Sequence, residues 1–380
     1  MKIGMVLYPT FGGSGVVATE LGKALAAKGH EIHFITYDQP VRLGSLRENI
    51  YYHEVRVSDY PLFDYAPYEL VLSSKLVDVS LYHELDLLHV HYAIPHASAA
   101  FTAREILKSK GKHIPYITTL HGTDITLVGK DPSFEPVINF AINNSNGVTT
   151  VSESLRQDTL EHFDIKREIN VIPNFICMQE YEDLDGGFIR RRYAPNGEKV
   201  ICHISNFRKV KRVEDVIRVF HKIRQAMPAK LLLVGDGPDR YKAEELCRKL
   251  GACEDVEMLG KLRSTKEILS GCDLFLLTSD SESFGLAALE AMAARVPVIS
   301  SNTGGIPEVN IHGETGFLSD VGDVDSMGRH AVELLSDPEM LERFKTQAYE
   351  RAKGYDIQHI LPLYEKIYES VLKSLLSASE

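Results

Sequence analysis

The sequence predicts an α/β protein with two doubly wound domains, each built on a parallel sheet. Three observations support this fold class. The chain has 380 residues, which is more than one hydrophobic core usually serves. Short apolar runs alternate with longer amphipathic stretches in both halves, as expected of buried parallel strands joined by crossover helices. A content of 44% hydrophobic and 25% charged residues is typical of a globular enzyme.

The predicted strands form two series that are separated by a proline-containing hinge. The first series lies at 2–8, 31–37, 50–57, 86–91, 114–120 and 147–152, and the second at 199–204, 230–235, 255–259, 272–278 and 296–300. A strand-like run ends at Pro173, and a polar, acidic stretch follows it. We therefore predict an N-terminal domain over 1–170 and a C-terminal domain over 171–355, with a cleft between them. The final helix, within 356–380, is expected to pack back on the first domain.

Charge and cysteine content restrict the partners and the compartment. A net charge of −11 opposes binding to nucleic acid and stable association with an anionic membrane. Five cysteines without a CxxC pair are typical of reduced thiols. The apolar run at 1–7 is too short for a signal sequence or a spanning helix. We expect a cytoplasmic protein with a small-molecule ligand. The sequence leaves open whether the protein forms a homo-oligomer.

A glycine-rich segment, 12–15, follows the first strand, and a helix is predicted over 16–28. Glycines let the backbone approach a ligand, and the N–H groups of a helix start attract an anion. One alternative is a tight turn without a ligand. Another is a dinucleotide fingerprint formed by Gly13, Gly15 and Ala18 with Asp38, which would indicate an NAD-dependent oxidoreductase. The extra residues at 9–11 argue against that fingerprint.

The strand at 272–278 leads into a polar turn and then a small-residue helix over 286–294. Backbone donors there suit a diphosphate at the carboxyl end of a parallel strand; they belong to Ser283, Phe284, Gly285 and Leu286. Glu282 precedes the helix, and Glu290 lies among apolar residues, where sugar or ribose hydroxyls would satisfy its carboxylate. The alternative for Glu290 is exposure to water.

Two further loops follow strands of the second half. The loop at 205–212 concentrates four cations that could neutralise a phosphate, although a solvated basic loop is the alternative; the cations are Arg208, Lys209, Lys211 and Arg212. The loop at 234–238 carries Gly235 and Gly237, which permit close approach of a ligand, and a plain turn explains them nearly as well.

Together these residues resemble the retaining family-4 glycosyltransferases, which have the GT-B fold of two facing Rossmann-like domains. The resemblance is carried by Glu282-x7-Glu290, by the glycine loop and by the segments 234–237 and 302–308. It implies that Glu282 contacts the hydroxyls of the donor sugar, that Glu290 holds the ribose, and that 283–286 contact the diphosphate or the sugar. It also implies that Lys211 holds the diphosphate. Asn206 stands where the family has an arginine, and Arg208 is a candidate replacement.

The segments 8–17, 89–96 and 118–124 are similar to a subgroup that transfers N-acetylglucosamine from UDP-GlcNAc to L-malate in bacillithiol biosynthesis. The resemblance implies retention at the anomeric carbon. Other acceptors, an inositol phosphate or a membrane lipid, stay as alternatives. The residues expected at the acceptor are Gly13, Ser14, Tyr92, Thr119 and His121, with ordinary packing as the alternative for Tyr92 and Thr119. The implied catalytic residues are His121, Lys211 and Glu282, and Gly13 and Gly235 are also expected at the donor.

Four histidines raise the question of a metal, because His89 and His91 point to one face of a strand and His96 and His121 follow. No acidic partner stands at a familiar ligand spacing, so we expect no metal and no cofactor. A lipid-binding surface is a second alternative, which rests on aromatic and cationic residues. These are Tyr60, Leu62, Phe63, Tyr65, Tyr68, Arg104, Lys108, Lys110 and Lys112.

Overall fold

A computed structural model of the chain describes residues 1–10, 12–44, 47–57, 66–127, 129 and 131–377. The chain divides into two compact units. The first comprises Met1–Asn174 and Ile357–Glu380, and the second comprises Phe175–Asp356. The boundaries proposed from the sequence, after residues 170 and 355, fall four residues and one residue earlier than these, because the chain completes a strand of the first sheet before it leaves the first unit.

The first unit contains a seven-stranded parallel sheet. Its strands are β1 (Lys2–Val6), β2 (Glu31–Thr36), β3 (Ile50–Glu54), β4 (Leu87–His91), β5 (Tyr116–Leu120), β6 (Gly147–Thr150) and β7 (Ile169–Val171). Their order across the sheet is β3-β2-β1-β4-β5-β6-β7, and every pair is parallel. The strand order reverses at β1 and β4, and in such sheets ligands bind beyond the carboxyl ends of the strands at the reversal.

Helices cover both faces of this sheet. They are α1 (Gly13–Ala27), α2 (Tyr68–His83), α3 (Ser98–Ser109), α4 (Glu135–Asn143) and α5 (Glu153–His162). Fully buried apolar side chains such as Ile35, Leu88 and Val90 pack with α2 and α3 on one face. The helix expected over 16–28 begins earlier, at Gly13. The glycines at 13 and 15 therefore belong to its first turn and not to a loop.

The second unit contains a six-stranded parallel sheet. Its strands are β8 (Lys199–Ser205), β9 (Ala229–Gly235), β10 (Val256–Gly260), β11 (Leu274–Leu277), β12 (Val298–Ser301) and β13 (Gly316–Ser319). The order is β10-β9-β8-β11-β12-β13, with every pair parallel. β13 was not predicted from the sequence. This strand is four residues long and its two central side chains are only half buried, so it lacks a buried apolar run of the kind that marks β11.

The helices of the second unit pack around a core that includes Phe220, Leu231, Leu276 and Phe344. They are α6 (Gly187–Tyr193), α7 (Val213–Ala226), α8 (Arg240–Lys249), α9 (Lys266–Ser270), α10 (Leu286–Ala293), α11 (Ile306–Val309), α12 (Val324–Ser336) and α13 (Pro338–Lys353). A strand, a loop and a helix thus alternate through the unit. The loops that follow β8, β9, β11 and β12 all emerge at the same edge of the sheet.

The last helix, α14 (Ile357–Ser377), belongs to the first unit. The hydroxyl of Tyr368 lies 2.8 Å from Nδ1 of His89 in β4. Lys28, just beyond α1, forms an ion pair of 2.7 Å with Glu365. A buried polar contact and a surface ion pair thus help to hold α14 on the first unit. Among the helices described, none has the length and apolar character required to cross a bilayer.

Candidate functional site

The centre of the candidate site in the second unit is an ion pair between two loops. Lys211, after β8, approaches Glu282, after β11, with 2.5 Å between Nζ and Oε1. Ser279 donates a hydrogen bond of 2.9 Å to the same carboxylate oxygen. The two charged side chains keep exposures of 19% and 15%, so they lie at the surface of the loops and within reach of a ligand. The structure thus brings together two of the three residues expected to be catalytic.

The loop after β12 supports Glu282 from behind. The N–H of Gly305 donates to the carbonyl oxygen of Glu282 at 2.8 Å, and Thr303 donates to the carbonyl of Asp280 at 3.0 Å. Gly304 has φ of +54°, and a Cβ atom there would lie 2.1 Å from the same Glu282 carbonyl. Only glycine fits at this position, because the backbone conformation and the close approach both exclude a side chain.

The helix α10 begins at Leu286, shortly after Glu282, and offers a positive end. Its N-cap, Gly285, has φ of +93° and provides no side-chain cap, and the first turn contains no acidic residue. The N–H groups of a first helical turn lack intrahelical partners and carry partial positive charge. Phe284 is buried and packs edge-to-face on Tyr355, with 5.6 Å between ring centroids. The arrangement anchors the turn and leaves its N–H groups available for an anion.

Glu290 lies within α10 and is only 6% exposed. Its neighbours Leu289 and Ala291 are fully buried. The alternative that Glu290 simply faces water is therefore wrong. A carboxylate in such surroundings needs polar partners, and a contact between Glu290 and the ribose of the donor stays a prediction.

The backbone of the loop after β8 packs directly against the backbone of the loop after β9. A Cβ atom on Gly235, whose φ is +122°, would lie 1.8 Å from the carbonyl oxygen of Ser205. A Cβ atom on Gly237 would lie 1.9 Å from the carbonyl oxygen of Asn206. These two glycines are required by the contact between the loops. Their presence does not by itself indicate a ligand.

The four cations of the loop after β8 do not act together. Arg212 bonds to Asp215 at 2.6 Å and to Asp280 at 3.0 Å, which removes it from the set available to a phosphate. Arg208 and Lys209 are exposed and form no ion pair within the described parts of the chain. Asn206 is also exposed. Arg208 is therefore free to reach an anion bound at this edge, as expected of a replacement for the arginine missing at 206.

In the first unit the start of α1 meets the loop after β4. The hydroxyl groups of Ser14 and Tyr92 lie 2.5 Å apart. Tyr92 has φ of +89°, an unusual conformation for a residue other than glycine, and its ring lies 5.3 Å from the ring of His121. Gly15 is held close to the preceding segment, since a Cβ atom there would lie 2.5 Å from the carbonyl of Tyr8. The expected acceptor residues Gly13, Ser14, Tyr92 and His121 are therefore neighbours.

Behind these residues lies a buried polar network. Nδ1 of His91 and Nε2 of His121 are 2.8 Å apart. Thr119 is fully buried, and its hydroxyl lies 2.7 Å from Nε2 of His89 and 2.6 Å from the hydroxyl of Thr149. Thr119 thus fits the packing alternative, and its place at the acceptor stays a prediction. Burial lowers the pKa of His89 and of His121 to about 3, so both rings are neutral at physiological pH.

Asp124 lies in 118–124, one of the segments that resemble the family subgroup, but no role was predicted for it from the sequence. It is 2% exposed, and its carboxylate accepts hydrogen bonds from the N–H of Ala93 at 2.7 Å and of Gly122 at 3.2 Å. Burial raises the pKa of this carboxyl to about 6, and the backbone hydrogen bonds act in the opposite direction. Asp124 therefore joins the two loops that carry Tyr92 and His121.

The histidines considered for a metal are engaged with one another and with other groups. Nδ1 of His96 bonds to the carbonyl of His91, while the remaining ring nitrogen of His91 is buried and has no hydrogen-bond partner among the described residues.

Some residues of the lipid alternative, and one residue just before the glycine-rich segment, lie outside the described residues: Tyr60, Leu62, Phe63, Tyr65 and Phe11. Arg104, from the same alternative, donates to the carbonyl of Asn144 at 2.9 Å.

Comparison with known proteins identifies the family. A model of "Glycosyltransferase Family 4" matches residues 11–180, and one of "Glycosyl transferases group 1" matches 188–351. The N-acetyl-alpha-D-glucosaminyl L-malate synthase of Bacillus anthracis is 47% identical over 98% of each chain. The chain belongs to the family-4 glycosyltransferases. An uncharacterized glycosyltransferase of Methanocaldococcus jannaschii is 29% identical, covering 89% of this chain and 90% of its own.

Solved structures share the fold of this family-4 glycosyltransferase. A sucrose-phosphate synthase from Thermosynechococcus elongatus has a TM-score of 0.81 at 20% identity, covering 98% of this chain and 100% of its own. HepE from Anabaena, in complex with UDP-glucose, has a TM-score of 0.79 at 20% identity, covering 99% and 100%. The predicted GT-B class of two Rossmann-like domains is confirmed. The enzyme is a glycosyltransferase, and the NAD-dependent oxidoreductase alternative is not favoured.

Proposed function

We propose that the enzyme transfers N-acetylglucosamine from UDP-GlcNAc to the hydroxyl of L-malate, with retention, giving GlcNAc-malate and UDP. This would be the first step of bacillithiol biosynthesis. One observation carries the proposal: 47% identity, over 98% of both chains, to a relative that is named for this synthesis. We further propose that the reaction takes place in the cytoplasm and needs neither a metal nor a cofactor.

The second unit supplies groups suited to the donor. The N–H groups at the start of α10, with Lys211 and Arg208, offer positive charge to the diphosphate. Glu290, buried in the same helix, is proposed to accept from the ribose hydroxyls. Glu282 is proposed to accept from the sugar hydroxyls. Because Lys211 already pairs with Glu282, we expect one cation to serve both the carboxylate and the phosphate.

The first unit supplies groups suited to a small dianion. The N–H groups of the first turn of α1 favour a carboxylate without any basic side chain. Two hydroxyl groups stand at that turn, those of Ser14 and Tyr92. We propose that they orient malate, and that His121, whose ring is neutral because burial lowers its pKa, donates to the sugar or the acceptor.

The chemistry proposed is a same-face displacement. The bond between the anomeric carbon and the β-phosphate oxygen breaks as the bond to the malate oxygen forms. The departing phosphate oxygen takes the proton of the malate hydroxyl, so no enzymic nucleophile is required. Lys211 and the N–H groups of α10 stabilise the negative charge that develops on the diphosphate.

A release assay with an acceptor panel tests the proposal. UDP release from UDP-GlcNAc is measured with L-malate, D-malate, other hydroxy acids, inositol phosphates and anionic lipid vesicles. We expect rapid release with L-malate and an α-linked product, which the anomeric proton coupling in an NMR spectrum identifies. Activity with an inositol phosphate or a lipid, and none with L-malate, would show that the proposed acceptor is wrong, while the assignment to the family-4 glycosyltransferases would stand. A β-linked product would refute retention.

Two carboxylate variants test the donor groups. Glu290→Ala should mainly weaken UDP binding, since its proposed partner is the ribose, whereas Glu282→Ala should mainly lower kcat, since its proposed partner is the sugar. Glu339→Ala is the matched control, because Glu339 is an exposed helical glutamate of the same unit. Normal kinetics in both site variants would remove these carboxylates from the mechanism.

A further inference from the structure

Three histidines from three separate elements converge on the α2 side of the first sheet. His33 lies in β2, His53 lies in β3, and His83 lies in the last turn of α2. Each offers one ring nitrogen, and these three nitrogens all lie within 4.8 Å of one another. His33 is fully buried, while the other two are half exposed. The cluster therefore has one interior ligand and an open side toward solvent.

A carboxylate sets the orientation of the buried ring. Nε2 of His33 lies 2.9 Å from Oε1 of Glu31. A carboxylate accepts at this distance, so Nε2 carries the proton and Nδ1 presents its lone pair. That lone pair points to Nε2 of His53, 2.8 Å away. A carboxylate that holds the distal N–H of a histidine is the usual outer partner of a metal-binding histidine.

A hydrogen-bonded histidine pair explains only part of this arrangement. It accounts for His33 and His53, which share one proton between facing nitrogens. It does not account for His83, whose ring centroid lies 4.4 Å from that of His33 and 4.9 Å from that of His53. It also leaves unexplained why a third ring nitrogen, from a helix end, should lie within 4.8 Å of the first two.

We propose that His33, His53 and His83 form a binding site for a divalent transition metal of the zinc type. Imidazole nitrogens suit such ions. With zinc–nitrogen bonds of about 2.1 Å in a tetrahedron, neighbouring ligand nitrogens stand about 3.4 Å apart. The nitrogens of His33 and His53 would then separate by about 0.6 Å from their hydrogen-bond distance. Solvent supplies the fourth position on the open side.

The site is separate from the acceptor residues of the first unit and serves a structural purpose. β3 is the edge strand of the described sheet, and an edge strand has a hydrogen-bonded neighbour on one side only. The metal would tie this strand and β2 to the end of α2. The other end of α2 carries Tyr68, whose hydroxyl lies 3.4 Å from Nε2 of His96. The metal would thereby hold a helix that reaches the polar network beside Tyr92.

The surrounding charges are mixed, which bears on affinity. Glu31 favours a cation, and it also pairs with Lys2 at 3.8 Å. Lys2 donates to the carbonyl of His83, and Lys75 is close enough to His53 to disfavour positive charge there. We therefore expect reversible binding that a chelator removes.

Titration of the untagged, chelator-treated chain with Co²⁺ tests the proposal directly. We expect one equivalent to bind with the intense visible absorption of a four-coordinate cobalt ion, and Zn²⁺ to displace it. Zn²⁺ should also raise the Tm, because a ligand of the native state stabilises it. If the wild-type chain gives neither the absorption nor the Tm shift, the proposal is overturned without recourse to any variant.

Three variants locate the site. His83→Gln removes a half-exposed ligand and should abolish the absorption. Glu31→Gln should weaken Co²⁺ binding by roughly 10- to 100-fold, as removal of an outer partner does. His113→Gln is the control, since His113 is exposed in the same unit and its side chain forms no hydrogen bond, ion pair or ring contact among the described residues. Undiminished binding in folded His83→Gln or Glu31→Gln protein would place the metal elsewhere and overturn the proposal.

Discussion

Replacing Gly304 by alanine should displace the loop that supports Glu282. The backbone at Gly304 has φ of +54°, and a Cβ atom would lie 2.1 Å from the carbonyl oxygen of Glu282. Such contacts under 3.0 Å essentially never occur, so the loop must retreat by about 0.9 Å, the difference between these two distances. A misplacement of about 1 Å in a catalytic group can cost roughly 100-fold in rate. We expect kcat to fall by about that factor.

Gly313 provides the matched control for this substitution. It lies in the same unit with φ of +79°, and nothing is within 4 Å of the position of its Cβ. Alanine at either position suffers the left-handed strain of about 1–2 kcal/mol, but only Gly304→Ala adds the collision with Glu282. Gly313→Ala should therefore lower the Tm and leave kcat and UDP affinity unchanged.

The assay is UDP release under saturating substrates, with UDP affinity by calorimetry and Tm measured on the same preparations. Equal kcat in Gly304→Ala and Gly313→Ala, with both proteins folded, would refute the reasoning. It would mean that the loop after β12 does not fix the position of Glu282, or that this position does not matter for turnover.

Three other perturbations have expected outcomes. Arg208→Ala should weaken UDP binding about 10-fold, as loss of a charge-assisted hydrogen bond does. Lys209→Ala, which removes an equally exposed cation, should change UDP binding little. If calorimetry gave the same loss of UDP affinity for both variants, the role of Arg208 would be contradicted. Tyr92→Phe should raise the KM for L-malate about 10-fold by removing a hydroxyl beside the start of α1, and UDP affinity should stay unchanged. A changed UDP affinity would contradict the assignment of Tyr92 to the acceptor. Burial holds the pKa of His89 at about 3, below the unfolded value of about 6.5, so its stabilising contribution is complete above pH 6.5 and is lost as pH falls toward 3. The free energy of unfolding, measured with urea, should fall less steeply with decreasing pH for His89→Gln than for wild type, by about 1.4 kcal/mol per pH unit in that window. Equal slopes of this free energy against pH in the two proteins would contradict the prediction.

The parallel sheets could be predicted where their strands are apolar. β11 consists of four apolar residues that are all buried, so hydrophobicity alone marks it. β13 escaped notice, because only its first and last residues are buried. The start of α1 was placed three residues late, since glycine has low helix propensity, and only the packing against Tyr8 shows why glycines occupy that turn.

Within the candidate site, residues in one strand-end loop could be predicted and pairings between loops could not. Glu282 and Glu290 stand out locally by their turn and their apolar neighbours. The bond from Lys211 to Glu282 joins residues 71 positions apart, and the commitment of Arg212 to two carboxylates depends on the same long-range fold. Asp124 was missed for a related reason: its partners are backbone N–H groups, which leave no mark in a sequence.

The three histidines of the proposed metal site show the same limit more strongly. His33, His53 and His83 lack the short ligand spacing by which metal motifs are recognised. They meet because β2 and β3 pair in register, which places His33 opposite Tyr51 and His53 opposite Ile35 on one face, and because α2 ends there. Only the topology brings them together.

The return of α14 to the first unit has a consequence for biogenesis. Tyr364 and Tyr368 are fully buried there, yet they are synthesised only after the whole of the second unit, Phe175–Asp356. Domains usually fold in the order in which they are synthesised, but here the domain begun first is finished last. Until α14 has emerged, the nascent N-terminal domain exposes the apolar face that this helix will cover.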